Sequence, residues 1–211
     1  MLLERYLREV PLPEDLTQSA VFQAMARTQN VFTMIRERAG IKLPSIIQAN
    51  NFSGVVSNVF SRMLGEVSAY HPFSDQRYPD LMHESKEIGL EVKASNKPMK
   101  GGEGHNGWHI VACFTVLPND DIEFIQLEIA CLIGFERDDS DWKYMGSRRN
   151  ANNSQRTETY VTTSIGTAKL RDGSVYLNPE HVHISSAMIR GRERLGKTYP
   201  PPPFSPLYRE G

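Results

Sequence analysis

Three charged side chains that can act on a phosphate ester lie within one stretch of the sequence, YPDLMHESKEIGLEVKAS at residues 78–95. The alternation in EIGLEVKAS is typical of a half-buried strand, whose polar face carries Glu91 and Lys93 as neighbours. The short polar turn HESKE precedes this strand and would return Asp80 beside Glu91 on an antiparallel partner. The spacing therefore predicts two carboxylates and one lysine at a single spot.

Carboxylates that converge in this way repel each other, which raises a pKa unless a cation lies between them. Hard oxygen ligands suit Mg²⁺, so the pattern predicts a magnesium site. Such a metal binds a scissile phosphate and lowers the pKa of an attacking water, while an adjacent lysine orients or activates that water. The chemistry that these residue types indicate is phosphodiester hydrolysis.

A third carboxylate, Glu66, lies near the end of an amphipathic helix in NNFSGVVSNVFSRMLGEVSAY. Apolar residues recur there at intervals of three and four, and Glu66 projects at the margin of the apolar stripe, between Val55 and Val59. A carboxylate aimed at the core needs a cation, a metal or a donor. The alternative is that Glu66 bends out from the edge of the stripe to solvent.

The pair Pro79-Asp80 followed by Glu91-Val92-Lys93 resembles the PD-(D/E)-x-K nuclease signature. The resemblance implies that Asp80 and Glu91 ligate a metal, that Val92 contributes its backbone carbonyl, and that Lys93 is the catalytic lysine. Many members add an acidic residue from a preceding helix, and Glu66 is the matching candidate here. The alternative is that Glu91 and Lys93 form a surface ion pair of little energetic value.

Around this hairpin the sequence predicts an α/β (α+β) fold. Asp15 or Thr17 is expected to cap a helix that runs towards Arg38, and apolar strands follow the catalytic strand in WHIVACFTVL and FIQLEIACLIGF. A further hairpin is expected around the turn at residues 171–173. The resemblance implies a restriction-endonuclease-like core, with a central mixed β-sheet flanked by helices and a helical N-terminal region.

We expect a single nuclease domain over residues 1–211. Its parts are a helical N-terminal part (1–48), a catalytic core (49–135), a DNA-recognition part (136–198) and a proline-rich tail (199–211), which should be extended and either packed across the surface or free. Two polar segments are predicted to contact DNA. The loop after the catalytic strand supplies groups for the phosphate backbone, and GSRRNANNSQRT supplies side chains that can pair with base edges. The candidates are Lys97, Lys100, His105, Asn106, Arg148, Arg149, Asn150, Asn152, Asn153, Gln155 and Arg156.

A second basic group, Arg190, Arg192, Arg194 and Lys197, is expected to contact phosphates. A compact nuclease with a base-reading segment resembles a type II restriction endonuclease. That resemblance implies double-stranded DNA as the substrate, a homodimer with one active site per strand, and a cognate DNA methyltransferase in the same system. The alternatives are a repair, recombination or phage nuclease of the same superfamily, a non-catalytic DNA-binding protein, and a hydrolase that uses His181 and His183.

Composition restricts the class of protein only mildly. The chain has 24 Lys and Arg against 25 Asp and Glu, which gives a formal net charge of −1, so DNA binding would require the cations to cluster on one face. Charged residues near the start and the absence of a long apolar run predict no secretion signal, no membrane association and a cytoplasmic location in a bacterial or archaeal cell. Cys113 and Cys131 are expected to be buried, reduced thiols.

Overall fold

The computed structural model describes residues 2–73, 79–97, 104–134, 140–145 and 160–209. A short 3₁₀ helix, Glu4–Tyr6, precedes the helices α1 (Gln18–Ala39), α2 (Leu43–Ile46) and α3 (Ala49–Gly65). The strands β1 (Tyr70–Pro72), β2 (Leu81–His83), β3 (Gly89–Ser95), β4 (Gly107–Val116) and β5 (Ile122–Leu132) follow. The remaining elements are β6 (Trp142–Tyr144), β7 (Tyr160–Thr162), α4 (Ser164–Asp172), β8 (Ser174–Leu177) and α5 (Ser186–Leu195). The prediction of a mixed α/β fold with a helical N-terminal region is confirmed.

Six strands form the central sheet in the order β1-β2-β3-β4-β5-β8, and β6 pairs with β7 in a separate two-stranded sheet. Strands β3 and β4 are parallel, whereas every other neighbouring pair in the central sheet is antiparallel. The predicted central mixed sheet flanked by helices is therefore present. In the register of β2 with β3, Leu81 lies opposite Leu90 and Met82 opposite Gly89.

The two faces of the central sheet pack against different helices. On one face, Leu90 and Val92 join a cluster with the buried side chains of α1 and α3, among them Phe60 and Leu64. On the other face, Val111, Cys113, Leu170 and Trp142 form a second cluster. Because side chains alternate along a strand, Glu91 and Lys93 project from the face opposite to α1 and α3. The apolar alternation predicted for this strand is confirmed.

Local sequence accounts for both ends of α1. The Thr17 hydroxyl accepts a hydrogen bond from the Ala20 amide at 3.1 Å and caps the first turn. Gly40 ends the helix in the left-handed region with φ 66°, where glycine carries no steric penalty. Of the two predicted caps, Thr17 is the one used.

The hairpin predicted around residues 171–173 is wrong. These residues end α4, which Thr163 caps by accepting from the Gly166 amide at 3.2 Å, and β8 pairs with β5. An Arg-Asp-Gly run is compatible with both a tight turn and a helix terminus, since glycine follows either. A Cβ at Gly173 would lie 1.9 Å from the Ile129 carbonyl oxygen, so only glycine allows α4 to end against β5.

The exposure of the cysteines and of the proline-rich tail can be compared with expectation. Cys113 is buried as predicted, but Cys131 is exposed, and both are free thiols. The proline-rich tail is packed at Ser205 and Leu207, which are 4% and 3% exposed. Within the described part of the chain, none of the helices combines the length and apolarity that crossing a bilayer would require.

Candidate active site

The β2–β3 hairpin brings together the three residues predicted to do chemistry. Asp80 immediately precedes β2, and continuation of the β2–β3 register places it opposite Glu91. The Asp80 carboxylate accepts a hydrogen bond from the Val92 amide at 2.7 Å, which fixes it across the hairpin. Lys93 Nζ donates to Glu91 Oε1 at 2.8 Å. Asp80, Glu91 and Lys93 thus form one polar cluster, which we call the hairpin cluster.

The hairpin cluster differs from a surface ion pair in its burial. The side chain of Glu91 is only 13% exposed, and that of Lys93 is 35% exposed. Ion pairs between fully exposed side chains contribute little, because solvent screens both charges. Here the carboxylate is largely withdrawn from water, while the ammonium group remains accessible. A water or a phosphate oxygen can therefore approach Lys93 from solvent.

Electrostatics leave the two carboxylates short of positive charge. Burial raises the pKa of Asp80 above its ordinary value, and the nearby charge of Glu91 raises it further. The Val92 amide and the charge of Lys93 oppose this increase but do not reverse it. Two carboxylates that share one lysine are stabilised by an additional cation.

The carboxylates of the hairpin cluster fit a site that binds Mg²⁺ together with a substrate. The described residues contain no cluster of three or more His, Cys, Asp or Glu side chains suited to a metal. Mg²⁺ in phosphate-processing sites is commonly held by one or two carboxylates plus substrate phosphate and water, so Asp80 and Glu91 meet that requirement. The residues that would hold it are Asp80 and Glu91, with the Val92 carbonyl as the predicted third ligand.

Glu66 lies at the C-terminal end of α3, where its amide donates to the Arg62 carbonyl at 3.2 Å. Its side chain is 48% exposed and pairs with Arg27 of α1 at 3.3 Å. Of the two orientations left open by the sequence, the solvent-accessible one is observed. Glu66 nevertheless lines the same cavity as Asp80, which belongs to the hairpin cluster.

His109 is a neighbour of the hairpin cluster that the sequence reading did not single out. It is paired with Glu91 in the parallel register of β3 and β4, and its side chain is buried. Its Nε2 donates to the His105 carbonyl at 2.7 Å, and its ring lies 5.1 Å from that of Trp142. Burial lowers the pKa of His109. The signal was absent from the sequence, because alternation shows which face His109 shares but not which strand lies beside β4.

Glu128 is a further carboxylate on this side of the sheet, and the sequence did not indicate it. It lies opposite Val111 on β5, and Val111 in turn lies beside Lys93. Oε1 accepts from the Gln126 amide at 3.0 Å, and Oε2 has no hydrogen-bond partner among the described residues. Complete burial raises the pKa of Glu128 to about 8. A continuous apolar run in the sequence conceals such a residue, because the run predicts a buried strand without revealing a polar layer inside it.

The predicted DNA contacts after β3 lie apart from one another. Lys97 follows the C-terminal end of β3, whereas His105 and Asn106 precede the N-terminal end of β4. Because β3 and β4 are parallel, these are opposite ends of the strand pair. All three residues are exposed, and His105 adjoins the hairpin cluster through its bond to His109. The remaining candidates lie outside the described residues: Lys100, Arg148, Arg149, Asn150, Asn152, Asn153, Gln155 and Arg156.

The expectation that Arg192 contacts phosphates is wrong. Its side chain is 3% exposed and donates to both carboxylate oxygens of Asp172, at 3.3 and 2.8 Å. The guanidinium also lies 4.7 Å from the ring centre of Tyr199. Arg192 is committed to the interior of the fold, because helical periodicity turns it towards α4 while Arg190 and Arg194 remain exposed.

The hairpin cluster thus combines two adjacent carboxylates, one accessible ammonium and a buried histidine beside them. These groups can hold a divalent cation and position a water next to it. No family model, curated protein or solved structure matches this chain. What supports a function is the geometry of the side chains themselves.

Proposed function

We propose that this protein is a Mg²⁺-dependent endodeoxyribonuclease with a restriction-endonuclease-like core, and that it acts as a type II restriction endonuclease. The observation that carries the proposal is the convergence of Asp80, Glu91 and Lys93 on one hairpin. Their order and spacing resemble the PD-(D/E)-x-K signature, and the β2–β3 hairpin brings their side chains into one polar cluster. Two partly buried carboxylates with one accessible lysine favour an added cation, which suits metal-assisted phosphodiester hydrolysis.

In this proposal Asp80 and Glu91 hold the cation, and the Val92 amide keeps Asp80 oriented. Bound Mg²⁺ would polarise the scissile phosphate and neutralise charge that develops in the transition state. Lys93, held 2.8 Å from Glu91, hydrogen-bonds the attacking water and stabilises the charge that it acquires. The buried His109 lies beside Glu91 in the register of β3 and β4.

The type II assignment adds three further parts to the proposal. The substrate is double-stranded DNA read at a defined sequence, the active form is a homodimer whose symmetry matches that of the site, and a cognate methyltransferase protects host DNA. A repair, recombination or phage nuclease of the same superfamily would share the hairpin cluster but cut by DNA structure. The pattern of the products separates the two.

The test is incubation of the purified protein with unmethylated plasmid and phage DNA, in Mg²⁺ and in EDTA. We expect discrete fragments that require Mg²⁺, and a loss of at least about 100-fold in cleavage rate for Lys93→Ala, because a charge-stabilising group near the transition state is removed. The matched control is Lys42→Ala, since Lys42 also forms a 2.8 Å ion pair, with Asp120, but lies in the loop before α2. It should cut like the wild type.

Other outcomes assign the protein differently. Smeared or junction-specific products would support a structure-directed nuclease. Intact DNA that both the wild type and Lys93→Ala retard in a gel would reject the catalytic role of the hairpin cluster and leave a DNA-binding protein.

A further inference from the structure

A cavity of about 550 Å³ opens between the C-terminal half of α3 and the start of the hairpin. It is bordered by α3 on one side and by the end of β1 on the other, and Asp80 is the residue that it shares with the hairpin cluster. Five of its eight described lining residues are polar or charged, which distinguishes it from a gap in the apolar core. The lining residues that matter here are Asn58, Ser61, Arg62, Glu66, Phe73 and Asp80.

Helical spacing gives the α3 wall its polar character. Asn58, Arg62 and Glu66 are four residues apart, so they form one stripe along the helix. All three are exposed, whereas Phe60 and Leu64 on the opposite side are fully buried. The stripe is therefore available to a ligand without disturbing the core.

Gly65 sets the shape of the cavity. A Cβ at this position would lie 2.7 Å from Pro72 Cδ and 3.2 Å from the Tyr70 carbonyl oxygen. Only glycine lets the end of α3 approach β1 so closely. This approach brings the polar stripe of α3 next to Asp80.

Among the described residues that line the cavity, Arg62 is the cation that remains available to a ligand. Arg62 is placed to pair with Glu66 at an interval of four residues, but Glu66 pairs with Arg27 at 3.3 Å instead. Among the described residues, Arg62 makes no ion pair and no side-chain hydrogen bond. An exposed guanidinium that shares a cavity with Asp80, one of the two carboxylates suited to Mg²⁺, is complementary to an anion that contacts both Arg62 and the cation.

We propose that this cavity binds a phosphodiester group of the cleaved DNA strand, next to the phosphodiester that is cut. Arg62 is its principal donor. The exposed Asn58 amide supplies a further donor along the same wall. The inference rests on the proposed function, because the proposed function requires the bound DNA strand to pass Asp80. A guanidinium contacts two phosphate oxygens at once, which orients the strand as well as binding it.

The test measures binding to a labelled mixed-sequence duplex of about 30 base pairs, in EDTA, between about 50 and 200 mM salt. A mixed sequence is suitable because phosphate contacts are independent of base identity. For Arg62→Gln we expect affinity to fall about tenfold at low salt and the slope of log K against log salt to become shallower by about 1. Arg62→Lys should restore most of the slope.

Arg38→Gln is the matched control. Arg38 is also an exposed helical arginine, but it lies in the last turn of α1, where Arg36 contacts Asp121 before β5. It should keep the wild-type slope. Equal losses for Arg38→Gln and Arg62→Gln would overturn the proposal in favour of a general charge effect, as would a wild-type slope for Arg62→Gln.

Cleavage measured on the same variants separates this inference from the proposed function. If the wild type cuts DNA and Arg62→Gln binds normally, only the cavity assignment fails. If the wild type binds DNA but does not cut it, the proposed nuclease activity is rejected. The salt dependence of DNA binding by Arg62→Gln then still tests the phosphate contact. A wild type that neither binds nor cuts duplex DNA overturns both.

Discussion

Two groups of carboxylates that are shielded from solvent differ in how their surroundings compensate their negative charge. Asp172 is completely buried, and it accepts two hydrogen bonds from Arg192 and a third from Ser205 Oγ at 2.6 Å. Asp80 and Glu91 are partly buried side by side, and they share the single lysine Lys93. The first group is neutralised within the fold, whereas the described residues supply the second with one lysine for two carboxylates.

The difference distinguishes a structural carboxylate from one that is available for binding. Arg192 supplies a full positive charge and a planar pair of donors, so Asp172 gains nothing from an outside cation. The hairpin cluster carries two potential negative charges against one positive charge, and its lysine remains in contact with solvent. Of these two groups, the hairpin cluster is the one that should respond to a divalent cation.

The largest effect on stability is expected from breaking the Asp172 group. Asp172→Ala leaves the Arg192 guanidinium buried without its partner, so we expect a loss of about 3 to 5 kcal/mol in the free energy of unfolding. Glu37→Ala serves as the comparison, because its ion pair with Arg36 leaves Glu37 60% exposed, and it should cost less than about 1 kcal/mol. Urea titration measures both. Similar small losses for both variants would show that Asp172 is not held as described.

Glu128 provides an intermediate case, since it is buried with only one oxygen bonded. Its pKa of about 8 lies above the ordinary 4.5, so between these values the native state binds a proton that the unfolded state has lost. The contribution of Glu128 to the free energy of unfolding is therefore largest below about pH 4.5 and falls as the pH rises to 8. The total fall is about 1.4 kcal/mol for each pH unit between the native and unfolded pKa values.

Glu128→Gln should abolish most of this pH dependence and stabilise the protein by a few kcal/mol at about pH 8.5, because glutamine keeps the acceptor for Gln126 without a charge. Glu87→Gln, an exposed residue of the β2–β3 turn, should follow the wild type. Denaturation profiles across pH decide the matter. An unchanged profile for Glu128→Gln would mean that Glu128 is ionised and paired in the native state.

The smallest effect on stability is expected at the hairpin cluster. Asp80→Asn should change the free energy of unfolding by less than about 1 kcal/mol without metal, since it removes a carboxylate whose ionised form is disfavoured. Millimolar Mg²⁺ should raise the melting temperature of the wild type and leave that of Asp80→Asn unchanged, because only the folded wild type binds the ion. Equal Mg²⁺ shifts for the two proteins would place the bound cation elsewhere.

Local patterns predicted much of the fold and the centre of the candidate site. The alternation around Glu91 and Lys93 was sufficient to place them on one face, and Thr17 was one of two residues predicted to cap the start of α1. Prediction failed where one local pattern fits two structures. The residues 171–173 fit a hairpin turn and a helix terminus equally well, and the buried contact of Gly173 with Ile129 selects the helix.

The sequence by itself determined the side chains that can do chemistry on the hairpin, because strand periodicity and turn length depend on neighbouring residues. Only the tertiary structure decided which residues from other elements stand beside them. Sheet order brought His109 to Glu91, the close packing at Gly65 brought Arg62 to the cavity of Asp80, and the docking of α5 on α4 withdrew Arg192 from solvent. These contacts join distant parts of the chain, and no local period encodes them.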